Sequence, residues 1–222
     1  MKQNTNETEK YVITIGRQLG SGGKRVGEIL SHQLGIHCYD KELIQLASRE
    51  SGLGKELFEQ VDEKSSRSFF GGLFGSRSGF MGDGSGNYLC NETLFKIQSD
   101  IIRGLAEKES CIFVGRCADY ILRDHPYLIQ IFITANLEDR IRRISQDCAM
   151  NEKEARNRIE QMDKKRAAYY NYYSNKTWGM SMSYDLCVNS SILGVEDTAA
   201  FILQYIKCYS DDTFRGGNSS SG

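Results

Sequence analysis

The stretch Gly16-Arg-Gln-Leu-Gly-Ser-Gly-Gly-Lys-Arg-Val-Gly27 sets closely spaced glycines beside adjacent cations, directly after an apolar run. Glycine lets backbone N–H groups converge on an anion, and a helix beginning at Lys24 adds the positive partial charge of its N-terminus. The residues that would cradle phosphate are Gly20, Ser21, Gly22, Gly23, Lys24 and Arg25. A glycine cluster also makes a tight strand-to-helix turn with no ligand. The preceding strand and the cations at the helix start favour the anion site.

Other residues whose chemistry matters lie further along. Arg116 follows the run Cys111-Ile-Phe-Val-Gly115, and Asp40 follows Ile36-His-Cys-Tyr39. Both stand at strand ends, where open α/β sheets bind ligands. Asp40 serves equally well as the N-cap of a helix carrying Leu43, Ile44 and Leu46. Arg140, Arg142, Arg143, Arg156, Arg158, Lys164, Lys165 and Arg166 fall in charged segments interleaved with Glu138, Asp139, Glu152, Glu154 and Glu160. Most read as solvated helix faces. Arg143, Asp163 and Arg166 are set apart as groups suited to a helical lid that excludes water and stabilises developing charge. Tyr169, Tyr170, Tyr172, Tyr173 and Trp178 form a dense aromatic run, read chiefly as packing rather than as a base-stacking surface.

The elements that must position these groups alternate. Apolar, β-rich runs at 11–16, 36–39, 111–115, 127–133 and 185–188 read as buried strands. Amphipathic patterns predict helices over about 24–34, 40–47, 91–105, 118–122, 137–148, 152–170 and 195–208, with Asn91 and Asn151 as N-caps. Nearly all-apolar strands alternating with helices imply a doubly wound α/β fold, its parallel five-stranded sheet covered on both faces. Residues 1–10 and 209–222 read as disordered termini around a single domain at 11–208. Within it, 65–90 is a Gly/Ser-rich mobile insertion carrying Phe70, Leu73, Phe74, Phe80 and Met81, and 137–170 is the lid region.

Composition limits the partners. The formal net charge is −1, so no global field draws nucleic acid or a membrane surface, and an anion site must be local. No apolar run reaches the roughly 20 residues of a membrane span, and the polar first residues lack a secretory signal's apolar stretch. The expectation is a cytoplasmic protein. The 7 cysteines form no C-x-x-C pair and the 3 histidines stand at no metal-ligand spacing, so reduced thiols are expected and no protein-held metal. Cys38, Cys111 and Cys187, in apolar runs, read as small hydrophobes.

Set against the P-loop pattern G-x-x-x-x-G-K-[ST], the glycine loop allows alternative registers. With Gly22 as the closing glycine, Arg17 takes the first position and Gly23 the lysine position. With Gly23 closing, Lys24 is in register and Arg25 replaces the hydroxyl that would hold Mg²⁺, which leaves Ser21 as the nearby hydroxyl. The chain as a whole, from about 11 to 208, resembles the cytidylate-kinase-like family of P-loop nucleoside-monophosphate-kinase relatives. The likeness is carried by Ile13-Thr-Ile-Gly-Arg-Gln-Leu-Gly-Ser-Gly-Gly, Tyr39-Asp-Lys-Glu-Leu-Ile44, Val114-Gly-Arg-Cys-Ala-Asp-Tyr120, Asp163-Lys-Lys-Arg166 and Tyr184-Asp-Leu-Cys-Val-Asn189.

The resemblance implies a phosphotransferase using ATP and Mg²⁺ on a nucleoside monophosphate or related small acceptor. It assigns acceptor binding to Asp40, Arg116, Asp163 and, as a substitute for an arginine absent at Ile159, Arg158. Lys24, Arg143 and Arg166 become the catalytic cations. Lys41, Glu42 and Cys117 depart from the family's acceptor-binding pattern, so base recognition is expected to differ. A catalytically impaired nucleotide-binding regulator and a kinase of a non-nucleotide metabolite are the alternative readings. The sequence leaves oligomeric state open, a homo-oligomer included.

Overall fold

The computed structural model describes residues 10–40 and 84–215, with 84–91 and 210–215 described at the level of the backbone. β-branched residues dominate β1 (Val12–Arg17), whose stiff side chains suit a pleated surface buried on both faces. Around it form β2 (His37–Tyr39), β3 (Cys111–Val114), β4 (Leu128–Thr134) and β5 (Leu186–Asn189). All pairings are parallel, in the order β2-β3-β1-β4-β5. The expected doubly wound, five-stranded parallel sheet is the observed one. The helices that follow β1 and β3 pack on opposite faces of the sheet, so the crevice at the carboxyl ends of these two strands is the fold's switch point.

The described helices are α1 (Gly23–Leu34), α2 (Gly84–Lys108), α3 (Ala118–Ile121), α4 (Leu137–Cys148), α5 (Glu152–Ser174) and α6 (Ser190–Arg215). Alternation along the strands divides the core. Ile13, Ile15, Ile112, Val114, Ile129, Ile131 and Ile133 pack with Val26 and Leu30 of α1 and with Ile202 and Ile206 of α6. Val12, Cys111, Phe113 and Leu128 face the opposite way, against Ile102 and Ala106 of α2 and Ile121 of α3. A smaller cluster joins Ile141 and Ile144 of α4 to Ala155 and Ile159 of α5. At the start of α5, Asn151 accepts from Glu154 N at 2.9 Å while Asn151 N donates to the Glu154 carboxylate at 3.3 Å. This is the reciprocal cap expected of Asn151.

Helix ends differ from the expectations in instructive places. α2 begins at Gly84, so Asn91 lies inside a helix rather than capping one, and 84–90 is helical rather than part of a Gly/Ser loop. Gly and Ser have weak intrinsic helix propensity, but a helix nucleated by the stripe from Leu94 to Leu105 propagates backward cheaply. α5 runs past Tyr170 to Ser174, and α6 continues past Cys208 to Arg215, into the polar tail. α6 also starts early, at Ser190, and breaks at Gly194 (φ 81°, ψ 173°) before its long part. Cys187 is exposed, not a core hydrophobe, because alternation in this edge strand turns it outward. Residues 41–47 of the helix expected at 40–47, and residues 65–83 of the insertion, lie outside the described residues. No helix among the described residues is long and apolar enough to cross a membrane.

Candidate functional site

Between Arg17 and Gly23 the chain makes a loop whose carbonyls from residue 17 to residue 21 each accept a side-chain hydrogen bond. The Arg17 carbonyl accepts from Arg166 Nη1 at 3.0 Å, Gln18 from Ser21 Oγ at 2.9 Å, and Leu19 from Arg140 Nε at 2.7 Å. Gly20 accepts from Arg143 Nη1 at 3.0 Å, and Ser21 from Ser190 Oγ at 2.7 Å. Carbonyl oxygens held this way cannot turn toward an anion. Gly22, in the left-handed region at φ 77°, leads into α1 without a side-chain cap. The first-turn N–H groups of a helix have no acceptor within it, so this end offers donors and a positive partial charge.

Leu19 is the anchor. Its N–H donates to Asp163 Oδ1 at 2.8 Å, its carbonyl is held by Arg140, and its side chain packs on the α4–α5 cluster. Arg140 and Asp163 are themselves paired, and Arg140 is only 5% exposed. Gly20, at φ 77°, lies so close to α4 that a Cβ there would sit 2.8 Å from the Arg140 carbonyl oxygen. Only glycine accepts both the conformation and the contact. The helical pair at 137–174 is thus docked on the loop through its backbone.

Beside the loop opens a cavity of about 560 Å³, lined by Gly20, Gly22, Gly23, Lys24 and Arg25 and by Asp40, Arg116 and Arg166. Arg17, Lys165 and Tyr169 also face it, as do the carboxylates Glu28 and Asp147. Cations outnumber acids here although the chain is near neutral, so the cavity is locally positive. Lys24 Nζ lies 2.6 Å from Asp40 Oδ2, tying the loop to the end of β2. Burial pulls the Arg166 guanidinium below its ordinary pKa, and Asp163 opposes that shift.

Arg116 enters the cavity from an unusual turn. Gly115, Arg116 and Cys117 follow one another in the left-handed region, at φ 80°, 61° and 55°. For a non-glycine residue this costs roughly 1–2 kcal/mol. Such strain persists where surroundings impose it, and it clusters at ligand sites. Here Cys117 is buried in the α3 junction, while Arg116 Nη1 reaches Gln98 Oε1 at 3.3 Å and hydrogen-bonds Tyr169. On the far side of the turn, buried Asp119 accepts from Tyr170 Oη at 2.7 Å, locking α3 to α5.

The structure therefore gathers Gly20, Gly22, Gly23, Lys24, Arg25, Asp40, Arg116 and Arg166 around one cavity. It does not bring Ser21, Arg143, Arg158 or Asp163 to its wall. Ser21 is fully buried with its hydroxyl spent on Gln18, which corrects its expected approach to a metal. Arg143 holds Gly20 and Ser190 from behind the loop, and Arg158 is an exposed residue of α5. Asp163 grips the loop backbone instead of an acceptor.

Arg140, Arg17 and Tyr169 are the residues that sequence reasoning passed over. Arg140 was legible: it shares the helical stripe of Leu137, Ile141 and Ile144, which a solvated arginine would not. Tyr170 is buried as the packing reading requires, yet its neighbour Tyr169 faces the cavity.

Replacing Asp163 with alanine leaves Arg140 buried without its counter-charge, and urea denaturation should show a loss of about 3–5 kcal/mol. The double variant with Arg140→Met should recover part of that loss. At Arg116, glycine relieves the left-handed strain that alanine keeps. Arg116→Gly should accordingly be more stable than Arg116→Ala by about 1 kcal/mol in the same assay.

The geometry has relatives. A family model described as the cytidylate kinase-like family matches residues 12–192. The crystal structure of an uncharacterized protein from Eubacterium ventriosum ATCC 27560 is 30% identical, with 89% of this chain and 99% of that chain covered and a TM-score of 0.66. Shikimate kinase from Bacteroides thetaiotaomicron, 12% identical with 89% and 98% covered and a TM-score of 0.50, is similar in fold. No curated protein matches the chain. The matched span runs from the first strand through the glycine loop, the Arg116 turn and the helical pair, and the chain belongs to the cytidylate kinase-like family.

Proposed function

We propose that this protein transfers the γ-phosphoryl group of ATP to a small anionic acceptor, a nucleoside monophosphate of the CMP type or a related molecule. One observation carries the reading. Every loop carbonyl from residue 17 to residue 21 is hydrogen-bonded by a side chain, at the N-terminus of a helix, beside a cationic cavity that Arg116 also lines. Phosphoryl transfer needs positioning and charge stabilisation more than covalent chemistry, and this cavity is built for both.

In this reading the loop amides and Lys24 bind the donor phosphates, and Arg116 takes the acceptor's anionic group. Arg166 keeps the loop in shape while its charge faces the cavity. An acceptor oxygen attacks the γ-phosphorus in line, so no protein nucleophile is required. The residues suit a metal ion through carboxylates rather than through a loop hydroxyl. Ser21 is turned away, while Asp40 and Glu28 line the cavity and would hold Mg²⁺ together with phosphate oxygens. Mg²⁺ would supply charge neutralisation of the donor phosphates.

A second reading, a regulator that binds nucleotide without turnover, is favoured by the same turned-away Ser21 and by Arg25 at the usual hydroxyl position. Turnover separates the two. ADP release from Mg²⁺-ATP, measured against nucleoside monophosphates, nucleosides and small metabolites, should rise with one acceptor class. Arg116→Ala should then raise KM for that acceptor about tenfold or more with little change for ATP. Lys24→Ala should lower kcat by about 100-fold. ATP binding by calorimetry with no turnover on any acceptor would install the regulator reading in its place.

A further inference from the structure

The cations that stabilise a transferring phosphoryl group were expected on the helical pair, yet Arg143 sits behind the loop. Arg166 commits one guanidinium nitrogen to the Arg17 carbonyl. The side chain of Arg17 itself takes a different course. Along β1 it shares a face with Ile13 and Ile15, the face covered by α1. A Cβ at Gly23 would lie 2.6 Å from Arg17 Cβ, and one at Gly115 would lie 2.0 Å from Arg17 Nη1. The side chain therefore runs from the start of α1 to the end of β3, with its guanidinium resting on the backbone of Gly115. That course crosses the carboxyl ends of β1 and β3, the crevice at the switch point, between the loop amides and Arg116.

We propose that Arg17 is a catalytic residue whose guanidinium contacts the phosphoryl group in flight between the glycine loop and Arg116. The inference rests on the donor-site reading given above. The new bond forms between an acceptor oxygen and the γ-phosphorus as the bond from that phosphorus to the β–γ bridging oxygen breaks, and ADP leaves with the electron pair. Arg17 gives and takes no proton. It offsets the negative charge spread over the equatorial oxygens, the role an arginine plays in other phosphoryl-transfer sites. A guanidinium suits that task because its planar fork presents several donors to oxygens in a fixed geometry. Gly115 has a matching reason to be glycine: any side chain there occupies the space of the guanidinium.

The test uses ADP with and without aluminium fluoride, a planar anionic mimic of the transferring group, in the presence of Mg²⁺. Calorimetry reads how much the fluoride complex tightens ADP binding. Wild-type protein should gain tenfold or more. Arg17→Met, which keeps an unbranched stem of similar packing, should lose most of that gain, and Arg17→Lys, which restores a charge on such a stem, should recover part of it. The order wild type, Lys, Met is what a charge role requires and a packing role does not produce. A wild-type gain retained in Arg17→Met overturns the inference alone, as does a wild type that shows no gain. A wild type that binds no ADP overturns the donor-site reading and this inference with it.

Discussion

A phosphate cradle made of backbone amides works only if the carbonyls of the same loop are kept out of it. In the donor-site reading proposed for this loop, that constraint falls on the peptide groups of Leu19, whose N–H is held by Asp163 and whose carbonyl is held by Arg140. The Arg140–Asp163 pair is largely withdrawn from water, and desolvation makes such pairs poor sources of net stability. Its geometric consequence is clear: two helices fix the orientation of the loop backbone rather than merely covering it. The Leu19 side chain, partly buried against the α4–α5 cluster, adds an apolar anchor that the charged pair alone would lack.

The same docking connects distant parts of the site. Arg166 and Tyr169 lie on the helix that carries Asp163, so the residue that shapes the loop and those that face the cavity share one rigid element. Tyr169 contacts Arg116, and Tyr170 on the same helix holds Asp119. The strained turn at Gly115, Arg116 and Cys117 is therefore fixed from both sides by α5. Arg116 is aimed at the cavity by backbone geometry, not by a flexible side chain alone. Kinases of helical-lid type are expected to move such a helix on closure. Here any such motion would have to carry the loop with it or break the hold on Leu19.

Much of this architecture could be read in advance. The β-branched runs and their intervening amphipathic stripes encode the parallel sheet, because burial on both faces demands near-continuous apolar strands. The glycine loop, Lys24, Asp40 and Arg116 were legible because they sit at strand ends, where local sequence and fold geometry coincide. Arg143 and Arg158 were not, since a cationic helix shows which face is charged but not which neighbouring carbonyls it meets. Arg17 was obscured by its place in the loop motif, where register arguments treated it as a missing glycine rather than a side chain with a destination. Ser21 illustrates the converse: its residue type suits a metal, but its own loop claims the hydroxyl. The early start of α2 escaped notice because Gly and Ser speak against a helix that cooperativity extends.

The central claim is that the inward side of this loop, from Gly22 into α1, is a phosphate-binding surface. Amide ¹H–¹⁵N spectra recorded during an ADP titration test it directly. The account predicts that the amides of Gly22, Gly23 and Lys24 shift downfield together as they take on hydrogen bonds to phosphate, with one shared affinity. ADP-induced shifts confined to other parts of the chain, or no shifts at saturating nucleotide, would contradict it.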